Sequence, residues 1–264
     1  MMDNQQSIHA ALRQQLLSDR LLGVRFVPVP RSAIERRPGV DPRSARGVQG
    51  AASPAVRAAM PVDSGAKAER LRLLDETQVR GCRKCVLCED RTQTVFGQGS
   101  VSARLVFVGE GPGYEEDKQG LAFVGPAGQL LTKMIVAMGL TREEVYICNV
   151  VKCRPPGNRT PTADEILACN PYLREQLEII APEMIVALGA PAAKTLLNTA
   201  EAIGKLRGRF HDYYFSGVAG VGPAVPVMPT YHPAYLLRNP DDKRKVWDDL
   251  QIVMEAMGLK RGRI

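Results

Sequence analysis

Six cysteines stand at positions 82, 85, 88, 148, 153 and 169, all within one third of a 264-residue chain. Cys82 and Cys85 form a C-x2-C hook, and Cys153 and Cys169 follow it, sixteen positions apart. Four thiolates so arranged close a tetrahedral zinc site or hold a [4Fe-4S] cluster, and spacing alone leaves both open. Cys88 extends the hook to C-x2-C-x2-C and is a rival ligand, whereas Cys148 sits in an apolar run and reads as core. The clustering favours metal binding over disulfides.

Three other positions could do chemistry of a different kind. Asn149 interrupts the apolar run YICNVV, where a polar side chain is costly unless it is paired. Its amide both donates and accepts, so it could read the edge of a polar ring such as a pyrimidine. Of the three histidines, His9, His211 and His232, the last follows an apolar run and precedes Pro233, which makes it the best ligand candidate. Phe123 could stack on a flat ring or plug the core.

The elements that must position these residues follow from apolar periodicity. Residues 105–108 are a short, continuous apolar run rich in β-branched side chains, which predicts a buried parallel strand. Gly-Glu-Gly-Pro-Gly then stops it at Gly109, so the backbone must turn sharply, and an acidic loop leads to a helix over 126–138. Strands are expected over 145–151, 184–188 and 225–228, and an extended edge segment over 207–215. Helices are expected over 162–180, where Thr162 and Glu165 form a capping box, and over 191–197 and 241–257. The alternation predicts an α/β fold, a three-layer α/β/α sandwich around a central four-stranded parallel sheet. In such sheets ligands bind at the carboxyl ends of the strands.

The amino-terminal part reads differently. Residues 6–22 carry a helical apolar pattern, and 28–61 hold six prolines without a sustained period, which predicts a loosely held linker. A further helix is expected over 66–79. Residues 1–70 carry eleven Lys plus Arg against six Asp plus Glu, a balance of +5 out of the chain's +7. The expected division is a basic, partly disordered extension over 1–70 and a compact domain over 71–264. A basic excess fits a polyanionic partner such as nucleic acid. With 45% apolar and 24% charged residues the balance is globular. No apolar run approaches the roughly 18 residues of a membrane span. The start of the chain lacks a basic region leading an apolar core, so no membrane or secretory role is expected.

Four segments, GEGPGYEED, GLAFVGPAGQLL, CNVVKCRPPGNRTP and HPAYLLRNP, together closely resemble the iron-sulfur uracil-DNA glycosylases called family 4. The resemblance covers about residues 75–257. It implies an enzyme of base excision repair, which flips uracil out of DNA, hydrolyses its N-glycosidic bond and leaves an abasic site without a lyase step. It implies that Gly109, Glu110 and Gly111 line the uracil pocket, that Phe123 stacks on the base, and that Asn149 bonds the uracil edge. His232 would bond the O2 atom, where negative charge builds as the bond breaks. Cys82, Cys85, Cys153 and Cys169 match the cluster ligands, which moves the expectation from zinc to [4Fe-4S].

Other implications are looser. The aspartate that other uracil glycosylases place after the first turn is replaced here by Gly111, so Glu116 or Glu110 would orient the water. Leu236 and Leu237 would wedge into the base stack. Arg238, with Lys152 or Arg154, would meet phosphates. A related group traps uracil-DNA covalently through a histidine on a basic insertion; neither GYEEDKQG nor CRPPGNRTP carries one, so turnover is implied. The expected partners are double- and single-stranded uracil-containing DNA. The expected state is a monomer in the cytoplasm, in a bacterial cytosol or nucleoid. A rival reading is a metal-stabilised nucleic-acid-binding module of the same fold without turnover.

Overall fold

A computed structural model describes residues 63–262. The expected helix over 6–22 and the linker over 28–61 lie outside the described residues. The first helix, α1 (Ser64–Leu74), is capped by Asp63, whose side chain accepts the Gly65 N–H at 3.0 Å, and it runs on into a π turn (Asp75–Val79). The short α2 (Leu87–Asp90) lies in the cysteine hook. Then come β1 (Gln98–Gly99), β2 (Leu105–Gly109), α3 (Tyr114–Gln119), α4 (Pro126–Ala137), β3 (Tyr146–Asn149) and α5 (Ala163–Ile180). The chain continues through β4 (Met184–Leu188), α6 (Ala190–Leu197), α7 (Ile203–Leu206), β5 (His211–Tyr214), β6 (Ala224–Thr230), α8 (Pro233–Arg238) and α9 (Lys243–Met257).

These strands form one sheet in the order β1-β3-β2-β4-β6-β5. Strand β2 pairs in parallel with β3 and β4, and β4 with β6, while β1 and β5 close the two edges antiparallel. The sheet is therefore mixed and six-stranded, wider than the expected four parallel strands by an antiparallel strand at each edge. Two residues of β1 are too few to leave a periodic signal. Strand β5 turns back on β6 through a glycine-rich connection, and such a hairpin pairs antiparallel.

Every residue of β2, β3 and β4 is buried. Side chains alternate between faces along a strand. Leu105 and Phe107 accordingly pack in an apolar cluster with Leu131 and Ile135 of α4 and Leu250 of α9. Val106 and Val108 face a second cluster, with Leu71 of α1, Leu173 and Leu177 of α5 and Ala192 of α6. Helices thus cover both faces. Each large apolar side chain so buried contributes about 1.5–3 kcal/mol, so the sheet is a rigid support for whatever stands at its ends.

Register sets what stands there. Gly109 pairs with Asn149 at the ends of β2 and β3, and Leu188 pairs with Thr230 at the ends of β4 and β6. The segments that follow all open at the same carboxyl edge.

Candidate active site and cysteine centre

A cleft of about 840 Å³ lies along that edge. Glu110, Phe123, Asn149, Gly189 and His232 all line it, each supplied by a different segment. Asn149 ends β3 with 1% exposure, and its side-chain Oδ1 is a buried acceptor with no hydrogen-bond partner among the described residues. A buried acceptor left open costs roughly 1–3 kcal/mol, so this amide is built to meet something that enters the cleft.

Glycine 109 makes the space. A Cβ added there would collide with Asn149 Oδ1 and stand 2.5 Å from Cζ of Phe123. Any side chain would fill the slot between amide and ring. Gly109→Ala should therefore keep the fold of the sheet yet cut occupancy of the pocket, with kcat/KM for a pyrimidine substrate down at least tenfold; overpacking of a tight site costs about 1–3 kcal/mol. A steady-state comparison at matched thermal stability checks this, and unchanged kcat/KM would remove the slot from the site.

Phe123 holds its ring there at the expense of its backbone. Its φ of 54° lies in the left-handed region, an uncommon conformation for a bulky residue that needs outside support. The support is visible on both sides. Arg142 Nη2 donates to the Ala122 carbonyl at 2.7 Å. Glu116 Oε1 accepts the N–H groups of Val124 and Gly125 at 2.8 and 2.9 Å, and its Oε2 accepts Gly113 N–H at 3.2 Å. Both oxygens of Glu116 are thus occupied in bracing the loop that presents Phe123. Glu110 is different: half-buried on the cleft wall, its carboxyl is pushed above its ordinary value by burial, with a Thr160 hydrogen bond opposing.

His232 is the N-cap of α8, and its Nδ1 accepts the Ala234 N–H at 3.1 Å. That bond leaves the proton on Nε2 as a free donor. Burial, with the charge of Arg238 adding, pushes its pKa down to about 4, so the ring is neutral at pH 7. Its centroid lies 5.6 Å from that of Phe123. Gly189, at φ 89°, lets the next segment pass close, since an added Cβ would sit 3.0 Å from His232 Cβ. Behind it, Arg207 grips Asp249 of α9 with two bonds of 2.8 and 3.0 Å, and Thr230 Oγ1 donates to the same carboxylate at 2.5 Å. Asp249 and Thr230 are both fully buried, so the end of β6 is fixed two residues before the histidine.

A second, smaller cavity holds the cysteine centre. Cys82, Cys85, Cys88, Cys153 and Cys169 all line it, together with Arg91, Lys152 and Tyr172. Cys148 does not; it is wholly buried in β3, as the sequence implies. Three of the sulfurs already receive donors: Arg91 Nη1 to Cys153 Sγ at 3.0 Å, Tyr172 Oη to Cys82 Sγ at 3.3 Å, and the Lys152 N–H to Cys169 Sγ at 3.3 Å. Burial raises the thiols of Cys85, Cys153 and Cys169, the last to about 11. Thiols with one charged and two neutral donors aimed at them form a donor set suited to thiolate ligation. Among the described residues no three His, Cys, Asp or Glu side chains converge on the position of a single ion. The sulfurs stand around a space instead.

Not every expected residue lies where chemistry would need it. Leu236 is 1% exposed and packs in the core, whereas Leu237 beside it is 46% exposed and open to solvent. The helical phase of α8 separates them. Lys152 is 1% exposed, which corrects the expectation that it meets phosphates. Arg238 lines the cleft and is exposed, whereas Arg154 is half-buried beside Pro155, which lines it. Sequence reasoning missed Arg91, Arg142, Gly189 and Tyr172, whose roles depend on contacts between distant segments and leave no local signal.

Comparison with known proteins places this α/β sheet and its cleft in a family. The model of the Uracil DNA glycosylase superfamily matches residues 96–251. Three type-4 uracil-DNA glycosylases are similar over nearly all of their own length. That of Thermotoga maritima is 47% identical, covering 69% of this chain and 93% of the relative. That of Saccharolobus solfataricus is 45% identical, covering 69% and 85%. That of Sulfurisphaera tokodaii is 44% identical, covering 67% and 81%. The chain belongs to the type-4 uracil-DNA glycosylases of that superfamily.

Proposed function

We propose that this protein excises uracil from DNA. The observation that carries the reading is the unpaired, buried Oδ1 of Asn149, facing a slot closed by the Phe123 ring and kept open by Gly109. Uracil offers an N3–H and a carbonyl O4 on one edge, which match an amide's acceptor and donor. Cytosine reverses both. A base flipped into the cleft would stack on Phe123 and pair with Asn149, and His232 Nε2–H would donate to O2. As the C1′–N1 bond breaks, its electron pair leaves with the ring and spreads over O2 and O4, so the His232 donor strengthens as the reaction proceeds. A water oxygen bonds to C1′ in its place and gives up a proton. Of the two expected carboxylates, Glu116 is engaged in bracing the loop, which leaves Glu110 to orient that water. No lysine lines the cleft among the described residues, and the reaction ends at an abasic site. Leu237 would fill the gap left in the stack, with Arg154 and Arg238 on flanking phosphates.

Release of free uracil from a labelled uracil-containing oligonucleotide, double- or single-stranded, tests the reading. Binding without release would mean a nucleic-acid-binding module of the same fold. The reading further assigns catalysis to residues 71–264, with 1–70 as a basic extension, and takes the protein to be a monomer of the cytoplasm. No helix among the described residues is long and apolar enough to cross a membrane.

Cys82, Cys85, Cys153 and Cys169 would hold a [4Fe-4S] cluster, each sulfur on its own corner, which suits thiols ranged around a cavity. When bound, the cluster supplies a cross-link between the hook after α1, the loop after β3 and α5. Anaerobically purified protein should absorb broadly near ~400 nm and carry about four irons per chain. Cys85→Ala should lose that iron and Cys88→Ala keep it. The opposite pair of results would make Cys88 the ligand, and one zinc in a colourless protein would overturn the cluster.

A further inference from the structure

Lys152 is a wholly buried cation that the reaction does not use. Its Nζ donates to the backbone carbonyl of Asn149 at 2.8 Å and to Oε1 of Gln176 at 2.5 Å. Gln176 is fully buried as well, and its Nε2 donates onward to the Phe96 carbonyl at 2.9 Å and to Tyr146 Oη at 3.2 Å. The acceptor end of this chain therefore cannot swing away. In the other direction, the Lys152 backbone N–H donates to Cys169 Sγ at 3.3 Å, and the next residue is Cys153.

Burying an ammonium without a compensating charge is costly, and a methionine of similar length would fill the space without that cost. What the lysine gains is specific. The paired register of β2 and β3 ends at Gly109 and Asn149, and beyond it Val150 N–H donates to the Gly109 carbonyl at 2.9 Å and Val151 N–H to the Glu110 carbonyl at 3.2 Å. The Lys152 side chain folds back and supplies the donor to the Asn149 carbonyl. That bond holds the carbonyl side of the peptide plane whose N–H side Val150 already gives to Gly109, and together the two set the direction of the amide that faces the slot. Burial pushes the Lys152 pKa below the ordinary lysine range, and the neighbouring Cys148, Cys169, Asp75 and Cys153 oppose that shift. Thiolates in the cysteine cavity would carry negative charge, and Lys84, Arg91 and Lys152 are the basic residues that line the same cavity.

We propose that Lys152 is a positioning residue: held by the cysteine centre, it locks the Asn149 carbonyl and thereby aims the base-reading amide, which couples the pocket's selectivity to the cysteine centre. The inference rests on the reading of the cleft as a uracil site.

The test uses iron-loaded full-length protein, and its probes are free uracil, titrated by calorimetry, and a duplex containing an abasic-site analogue. Lys152→Met should bind free uracil at least about tenfold more weakly, the scale of one hydrogen bond to a charged group, with abasic-duplex affinity within about twofold of wild type. The same variant should release iron faster to a chelator. Equal uracil affinity in a folded Lys152→Met protein would overturn the proposal, as would parallel losses of uracil and duplex affinity, which mark general damage. Should that variant fail to fold, Gln176→Met takes one acceptor from the ammonium and leaves the lysine in place. A selective loss of uracil affinity, roughly threefold, is then expected, and no loss would overturn the idea. A wild-type protein that binds no free uracil would sink the underlying reading instead, so the two failures are distinguishable.

Discussion

Replacing His232 by alanine should slow single-turnover cleavage of a uracil-containing duplex by roughly 10²-fold or more, the usual loss for one donor to a developing anion. Affinity for the same duplex should change little, because the donor acts on charge that appears only as the bond breaks. The geometry specifies how this donor works. With Nδ1 engaged by the Ala234 N–H, the ring presents Nε2–H, and with its pKa at about 4 it does so as a neutral group throughout the physiological range. The rate should therefore show no histidine inflection between pH 6 and 7. The sign for stability follows from the same shift. The folded value lies below the unfolded one of about 6.5, so the neutral, buried ring stabilises the fold above that pH. This contribution is lost as pH falls from there through 4. An NMR titration of His232 and a rate profile from pH 5 to 8 read the two halves separately. An unchanged single-turnover rate in the alanine variant would take the histidine out of the mechanism.

How far such a site could be read from sequence depends on what holds each residue. Strands β2 and β4 were legible because they are buried on both faces and so are apolar throughout, LVFVG and MIVAL. The helix α3 was not, since glycines and a proline on one side and three acidic residues in its first turn read as loop. Its N-terminus is held by Glu116 folding back onto the Gly113 N–H three residues before it, a local cap that a glycine N-cap does not announce. Asn149 and His232 stood out as polar residues ending apolar runs, and register then brought Asn149 beside Gly109. Lys152 shows the opposite limit. A lysine just before an arginine, two prolines and a glycine reads as a solvated charge, and nothing local reveals that Gln176, twenty-four residues on, closes over it. Leu236 and Leu237 could not be told apart without the phase of α8.

Exchanging Asn149 for aspartate should alter what the site accepts more than it alters the fold. The substitution is nearly isosteric, and the orphan acceptor remains, so the sheet end need not move. What is lost is the amide donor, and with it the match to the carbonyl O4 of uracil. A site built around such a hydrogen bond discriminates strongly because the wrong ligand leaves a buried group mispaired. At 1% exposure the new carboxyl would resist ionisation, since burial disfavours its charged form. In the protonated state its hydroxyl can donate to cytosine N3 while its carbonyl accepts from the exocyclic amine, the reverse of the pattern that uracil needs. Asn149→Asp should therefore lower the uracil rate by about 10²-fold, one misplaced transition-state contact, and narrow the uracil-to-cytosine ratio by more than that loss alone. The narrowing should grow as pH falls, because the protonated form is the one that fits cytosine. Single-turnover rates on matched uracil and cytosine oligonucleotides at pH 5.5 and 8 measure both effects. A ratio that stays at the wild-type value while the uracil rate drops would mean that the amide contributes affinity but not selectivity, and that shape alone excludes cytosine.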